Sequence, residues 1–223
     1  MGTEHAAAYL GVRERVTALV APLGDLRDRR CPATPEWSAH DVLAHLVGVC
    51  DDVLSGRMEG VATDAWTEAQ VAARRERPTP ALLEEWDRLG PEFEAGIGVV
   101  PDVMAGQAIF DAVTHEHDLR HALGRPGARD SDGVAIAWGW LTMVGAPRAG
   151  EALVYTTTEG DTVTIGTGEV VADVRLDRFE FVRGVSGRRS AAEIEAWEWD
   201  PASRVDLVLA APIFRLRDEP LGE

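Results

Sequence analysis

Side chains that can carry acid–base or metal chemistry are concentrated in residues 111–124, DAVTHEHDLRHALG, which contain three histidines, two aspartates and one glutamate. Asp111 and His115 are four residues apart, and so are His117 and His121. Side chains at this spacing share one face of a helix, so each pair could bind a single cation. His121 lies about 120° from His115 around the helix axis, and the two pairs therefore cannot serve one site.

A further candidate ligand, His45, comes from the segment 39–55. The apolar stripe of this segment, on whose face His45 also lies, consists of Val42, Leu46, Val49 and Val53. A lone histidine in such a stripe is more often a hydrogen-bonded core residue than a ligand. Joined by Asp111 and His115 from a facing helix, however, His45 would complete three N/O ligands and leave one coordination position open. That pattern is typical of catalytic zinc sites, and helical bundles often build metal sites in this way.

Two other acidic side chains in the stretch have structural alternatives. Glu116 lies on the apolar side of the predicted helix with Arg120 one turn further on, and this spacing favours an ion pair over a catalytic role. Asp118 could accept a hydrogen bond from a ligand histidine, or it could be a solvated surface charge. Both interpretations of Asp118 stay open at this stage. For the stretch as a whole, plain solvated charge is the alternative to a metal site.

Hydrophobic periodicity predicts that these segments are helices of one bundle. Ser38 and Asp41 form a capping-box pattern at the start of the helix that carries His45, with Trp37 and Val42 placed as a hydrophobic staple. The predicted helices cover residues 5–23, 39–55, 66–77, 79–96 with a break near Gly90–Pro91, 104–123 and 133–145.

The pattern changes at about residue 151, where β-branched runs separated by glycine-rich turns replace the helical period. At least two strands, and we favour three, are predicted between residues 151 and 176, followed by helices over 177–185 and 190–197. Ser190 and Glu193 form a capping box at the start of the last of these helices. We therefore expect an α+β protein, with a helical bundle in residues 1–147 and a small α+β domain in residues 148–223.

Composition excludes several classes of partner. The chain has 38 acidic residues against 22 basic ones, which are all arginine, and a formal charge of −16. Such a surface repels nucleic acids and anionic membranes. Cys31 and Cys50 have no metal-site or disulfide spacing, so we expect free thiols in a reducing compartment. No signal-peptide pattern or long apolar run is present, and we expect a soluble cytoplasmic protein, either a monomer or a homodimer.

The sequence favours neither a catalytic nucleophile among the protein's own side chains nor a phosphate-binding loop. It contains no GxSxG motif, and GTGEVV lies between predicted strands rather than at the start of a helix. Arg188 and Arg189 directly precede a predicted helix in the second domain. A guanidinium fork binds a carboxylate through two hydrogen bonds, so this pair could bind an organic acid. The alternative is two solvated arginines on an acidic protein.

Four segments together resemble the mycothiol-dependent maleylpyruvate isomerase family: PEWSAHDVLAHLVG, WTEAQVAARRERP, DAVTHEHDLRHALGRPG and FEFVRGVSGRRSAAEI. The resemblance covers nearly the whole chain, and its first and third segments are the most specific. It implies a DinB-like four-helix bundle followed by a small α/β domain similar to sterol carrier proteins.

The resemblance also implies a divalent metal, usually zinc, bound by one histidine of the second helix and by an acid-x-x-x-His pair of a later helix. Those positions match His45, Asp111 and His115 in this chain, which has Asp where the best-known isomerases have Glu. The low-molecular-weight thiol mycothiol would bind at the open metal position, and Arg188 or Arg189 would meet a substrate carboxylate.

The expected function is therefore thiol transfer to, or cis–trans isomerisation of, a small electrophile, with general thiol transfer favoured. Two alternatives from other classes stay open. One is a non-catalytic bundle that binds a small molecule, and the other is a hydrolase that uses zinc-bound water.

Overall fold

The computed structural model describes residues 2–144, 149–208 and 215–223. The chain forms two compact units, residues 1–127 and 128–223. We expected the boundary near residue 147, but the helix over Asp132–Val144 belongs to the second unit because it packs against the helix over Arg178–Val185. The fold class is α+β, as the sequence predicts.

The first unit is a bundle of four long helices and one short helix. Its helices are α1 (Gly2–Val20, followed by a 3-10 turn over Ala21–Leu23), α2 (Ala39–Leu54), α3 (Asp64–Ala72), α4 (Thr79–Ile97) and α5 (Asp102–Ala122). Helix α1 packs against α4 and α5, α2 packs against α4 and α5, and α3 packs against α2. Large buried side chains from the four long helices include Val12, Val16, Leu43, Leu46, Leu82, Trp86, Ile109 and Val113.

Helix α2 begins as the sequence predicts. The Ser38 hydroxyl accepts a hydrogen bond from the Asp41 backbone, and the Asp41 carboxylate accepts one from the Ser38 backbone, which forms a complete capping box. The predicted apolar stripe is only partly correct: Val42 and Leu46 are buried, but Val53 is exposed. In the last turn of α2, Asp52 is buried instead.

Helix α4 runs without a break through Gly90 and Pro91, and the predicted break is therefore wrong. Proline removes one backbone donor and disfavours a helix interior. Apolar side chains on both sides of Pro91, such as Trp86 and Phe93, are buried against the bundle and hold the helix together. A Cβ atom at Gly90 would lie 2.4 Å from Nε of Arg13, so a larger residue there would displace the Arg13 side chain.

The second unit combines α6 (Asp132–Val144), β1 (Ala149–Thr157), β2 (Thr162–Leu176), α7 (Arg178–Val185), α8 (Ala191–Glu195), β3 (Glu198–Asp200) and α9 (Val205–Val208). The strands form one sheet in the order β1-β2-β3. The predicted capping box of α8, Ser190 with Glu193, is present.

Strand β2 pairs with β1 in two ways. Its second part runs parallel to β1, from Ala149 opposite Thr167 to Thr157 opposite Leu176, while its first part pairs back in the opposite sense, from Ala152 opposite Gly166 to Thr156 opposite Thr162. Residues 151–176 thus supply three extended segments from two continuous strands. Strand β3 was not predicted, because the sequence pattern predicts strands only between residues 151 and 176, and the three residues of β3 directly follow the predicted helix over 190–197.

Two further sequence expectations can be compared with the described residues. Within residues 2–144, 149–208 and 215–223, no helix is long and apolar enough to cross a membrane. Cys31 and Cys50 are both buried free thiols, as expected.

Candidate metal centre

Three potential metal ligands converge between α2 and α5 in the first unit. One ligand atom from each of His45, Asp111 and His115 lies within 4.8 Å of the others. The Nε2 atom of His45 is 3.4 Å from an Asp111 carboxylate oxygen, and the Nε2 atom of His115 is 3.6 Å from that carboxylate. Ligands of a tetrahedral zinc ion at about 2.05 Å are separated by about 3.3 Å. The donor set and its spacing therefore fit a divalent cation of this size.

Burial makes the site open on one side only. The His45 and His115 side chains are 4% and 10% exposed, whereas that of Asp111 is 33% exposed. Trp37 packs against both imidazoles, with ring centroids 5.4 Å from His45 and 6.0 Å from His115. An external ligand would thus approach from the side of Asp111, because the two histidines are covered by the helical bundle and by the indole ring of Trp37.

The second ring nitrogen of His45 is held by a buried amide. Its Nδ1 atom is 2.8 Å from Oε1 of Gln70, and Nε2 of Gln70 donates to the Asp52 carboxylate at 2.8 Å. Gln70 reaches this position because α2 has Gly48 at the contact with α3. A Cβ atom on Gly48 would lie 2.5 Å from Cβ of Gln70.

The second ring nitrogen of His115 is held by a buried carboxylate. Its Nδ1 atom lies 3.1 Å from Oδ2 of Asp118, whose side chain is fully buried. Of the two interpretations that the sequence left open, the hydrogen bond to a candidate ligand is therefore correct and the solvated surface charge is wrong. Such a partner fixes the tautomer and orientation of the ring and presents Nε2 toward the cation position.

The electrostatics of the centre favour positive charge. Burial alone lowers the pKa of His45, but the nearby Asp111 carboxylate and the hydrogen bonds with Asp111 and Gln70 raise the pKa above its usual value overall. A carboxylate that stabilises an imidazolium also stabilises a bound cation, and the site is therefore suited to hold either a proton or a metal ion.

Glu116 belongs to the structural framework rather than to the centre. Its buried carboxylate accepts hydrogen bonds from Arg120 at 3.0 Å, as predicted, and from Arg15 of α1 at 2.8 and 2.7 Å. The ion pair with Arg120 is confirmed, and the additional contact with Arg15 joins α5 to α1.

His117 and His121 lie outside the cluster. In the described part of the chain, the one cluster of three potential metal ligands consists of His45, Asp111 and His115. His117 is buried and His121 is half-buried on other faces of α5. The structure thus brings together the first of the two i, i+4 pairs and not the second.

Arg188 and Arg189 lie in the second unit, between α7 and α8. The Arg189 side chain is 4% exposed, and its fork donates to both carboxylate oxygens of Glu180 at 2.6 and 2.8 Å and to Glu223 at 2.9 Å. Arg188 is half-buried and donates to the Ser186 carbonyl at 2.7 Å. A substrate carboxylate at Arg189 would have to compete with two internal carboxylates.

Sequence reasoning missed three residues of the centre: Trp37, Asp52 and Gln70. Trp37 was assigned only to the start of α2, and the other two have no motif. The one available signal was an amide at position 70, next to Val71, which is buried. That signal indicates burial but not a partner.

Comparisons with known proteins agree with the resemblance noted above. Residues 10–120 match the family model described as the mycothiol maleylpyruvate isomerase N-terminal domain. A comparison with curated proteins finds no match.

Two solved structures share the fold. A crystal structure of a histidine-to-alanine mutant of mycothiol-dependent maleylpyruvate isomerase has a TM-score of 0.60 and 10% identity, and covers 92% of this chain and 95% of its own. A second crystal structure of mycothiol-dependent maleylpyruvate isomerase has a TM-score of 0.56 and 12% identity over the same shares. At this identity the likeness shows the fold, which extends over both units, while the family model covers all three candidate ligands. The chain therefore belongs to the mycothiol-dependent maleylpyruvate isomerase family of enzymes.

Proposed function

We propose that the protein is a metal-dependent enzyme that uses mycothiol to attack a small electrophile, as an S-transferase or a cis–trans isomerase. The observation that carries this proposal is the convergence of His45, Asp111 and His115 with one side open. Two neutral imidazole nitrogens and one carboxylate oxygen suit zinc, and three protein ligands with a vacant position are typical of catalytic sites.

The sulfur nucleophile of this proposal comes from outside the chain. Both cysteines are fully buried in the first unit, and burial raises the pKa of Cys50 to about 12. The Cys31 thiol lies 3.7 Å from the Asp118 carbonyl and its pKa is raised, chiefly by burial. A thiolate is required for attack, and neither protein thiol forms one near neutral pH. This supports a small thiol cofactor, and mycothiol is the thiol named for the structural neighbours.

When bound, a divalent cation supplies a Lewis acid that lowers the pKa of a coordinating thiol into the neutral range. The chain's own residues provide the rest of the site. Asp111 contributes one negative charge, so a doubly charged cation retains a net positive charge that attracts a thiolate. Gln70 and Asp118 hold the imidazoles in the orientation that keeps Nε2 available. Trp37 packs against both imidazoles.

Two reactions are compatible with such a thiolate. In isomerisation, it adds to an activated C=C bond, the resulting single bond rotates, and elimination restores both the double bond and the thiol. In transfer, the sulfur displaces a leaving group, which departs with the bonding electrons, and the thiol is consumed. We propose that Arg188 or Arg189 binds the carboxylate of such a substrate, because both side chains are guanidinium forks.

Metal analysis tests the site directly. The wild-type protein is expected to bind about one equivalent of zinc, and the variants His45→Ala and His115→Ala are expected to lose it. His121→Ala is the matched control, since His121 lies on the same helix outside the cluster, and it should retain full occupancy. Stoichiometric zinc in both ligand variants would contradict the assignment.

Thiol dependence tests the chemistry. The zinc-loaded protein is assayed with maleylpyruvate and with a chromogenic chloronitrobenzene, each with and without mycothiol. Turnover that requires mycothiol and is lost in His115→Ala supports the proposal. Consumption of mycothiol with the chloronitrobenzene indicates transfer, whereas maleylpyruvate turnover with constant mycothiol indicates isomerisation. Hydrolysis of an ester substrate without any thiol would instead favour a zinc-bound water as the nucleophile.

A further inference from the structure

Gln70 is the one neutral side chain that joins a candidate metal ligand to a buried carboxylate in the described part of the bundle. It is 2% exposed and forms hydrogen bonds at both ends of its amide, with His45 at 2.8 Å and with Asp52 at 2.8 Å. A buried amide with both ends satisfied has a defined orientation, because its oxygen only accepts and its nitrogen only donates.

Charge fixes the direction of this chain of hydrogen bonds. Arg57 donates to Oδ1 of Asp52 at 2.7 Å, and an arginine can only donate. The Asp52 carboxylate accepts at both oxygens, so the amide nitrogen of Gln70 must face Asp52. The amide oxygen then faces Nδ1 of His45, and that nitrogen has to carry the proton.

In the metal-free protein, Asp111 competes for the proton because its carboxylate lies 3.4 Å from Nε2 of His45, but the Gln70 oxygen, 2.8 Å from Nδ1, is the nearer acceptor. We propose that Asp52, through Gln70, selects the Nδ1–H tautomer of His45 and so keeps Nε2 free to bind the cation. Gln70 and Asp52 are positioning residues in this account. Neither contacts the metal position, which lies on the opposite edge of the His45 ring. The proposal rests on the metal site of the proposed function and is independent of the thiol chemistry.

The two histidines are therefore held by different means. His115 is held by Asp118, a carboxylate that accepts in either orientation, and its tautomer follows from one contact. His45 is held by an amide that would support either tautomer if it rotated by 180°, and its state depends on the more distant Asp52. The structure thus assigns a role in metal binding to Asp52, which forms no hydrogen bond with any of the three candidate metal ligands.

This assignment makes Asp52→Asn the most informative substitution. In this variant, Arg57 would donate to the amide oxygen of the introduced asparagine. The NH2 group of that asparagine would then face Gln70. Gln70 then rotates to present its own oxygen, and its NH2 group faces Nδ1 of His45. The Nε2–H tautomer follows, and the proton occupies the position at which the metal binds.

A reciprocal exchange should restore the original state. In the double variant Asp52→Asn/Gln70→Glu, the introduced amide donates to the introduced carboxylate, which accepts from Nδ1 of His45. The charge of the pair and the number of hydrogen bonds are unchanged. If Gln70 had a purely structural role, the double variant would have no reason to bind metal more tightly than the single variant Asp52→Asn.

The tautomer of His45 is measured by ¹⁵N-resolved NMR of the imidazole nitrogens in the metal-free protein at a pH where His45 is neutral. We expect Nδ1–H in the wild type and in the double variant, and Nε2–H in Asp52→Asn. Gln107→Leu, a substitution of an exposed glutamine on α5, is the control and should leave the His45 signals unchanged. Nε2–H in the folded wild type, or an unchanged tautomer in folded Asp52→Asn, would overturn the proposal.

Zinc affinity, measured by competition with a chelator, is the second readout. We expect Asp52→Asn and Gln70→Leu to bind zinc about 10- to 100-fold more weakly, the usual effect of removing such a partner. The double variant should bind zinc at least tenfold more tightly than Asp52→Asn. Circular dichroism establishes that each variant is folded, and equal affinities in all folded variants would refute the role of Gln70. Because neither readout needs mycothiol or a substrate, a failure of the proposed enzymatic activity would leave this result unaffected.

Discussion

Removal of the Glu116 carboxylate is expected to destabilise the bundle without changing metal binding. The side chain is fully buried and accepts two hydrogen bonds from Arg15, at 2.8 and 2.7 Å, and one from Arg120 at 3.0 Å. Removing one member of a buried ion pair usually costs 3–5 kcal/mol, because the partner charge is left uncompensated. Here the Arg15 and Arg120 side chains are 30% and 14% exposed and regain part of their hydration. We therefore expect Glu116→Ala to lower the free energy of unfolding by about 3 kcal/mol, at the lower end of that range.

Urea denaturation followed by tryptophan fluorescence measures this loss, and zinc stoichiometry is determined on the same preparations. Asp87→Asn is the control, since Asp87 contacts Arg13 at 3.1 Å with a side chain that is 85% exposed. Exposed pairs of this kind contribute little, and no resolvable change in stability is expected. A loss below about 1 kcal/mol for Glu116→Ala would refute the reasoning about burial. Loss of zinc at unchanged stability would place Glu116 in the metal centre instead.

The other predictions concern accessibility, pH and the aromatic wall of the site. Iodoacetamide should label neither cysteine in the native protein and both in denaturant, and rapid native labelling of Cys31 or Cys50 would contradict their burial. Burial raises the pKa of the Cys50 thiol to about 12. The contribution of this thiol to stability is therefore present below its unfolded pKa of about 9 and is lost as the pH rises toward 12. In urea titrations over this pH range, Cys50→Ala should lose less stability than the wild type. The raised pKa of His45 makes protons compete with zinc, and the apparent zinc affinity, measured by chelator competition, should fall by about tenfold for each unit by which the pH is lowered below that pKa. Cu²⁺ bound at the centre should quench the fluorescence of Trp37, and equal quenching in Trp37→Phe would show that the ion binds elsewhere.

The candidate ligands were predictable because they follow local rules. Asp111 and His115 share a helix face by their spacing, and His45 interrupts an apolar stripe. These features depend on residues within one or two helical turns, which a sequence displays directly. The capping boxes at Ser38 and Ser190 were predictable for the same reason.

The supporting contacts were not predictable, because they join residues that are distant along the chain. His45 and Gln70 are 25 residues apart, and Arg15 and Glu116 are 101 residues apart. Only the packing of α2 against α3 and of α1 against α5 brings these groups together. The uninterrupted course of α4 through Pro91 has the same origin, since tertiary burial outweighs a local preference.

The spectrum of the cobalt-substituted protein tests most directly whether the centre holds a cation that can also bind an external sulfur atom. Co²⁺ is added to the metal-free wild type, and mycothiol is then titrated while the near-ultraviolet absorbance is recorded. We predict one equivalent of Co²⁺ per chain and a sulfur-to-cobalt charge-transfer band that grows with mycothiol and is absent in His115→Ala. Stoichiometric Co²⁺ in the wild type with no such band at saturating mycothiol would contradict the account.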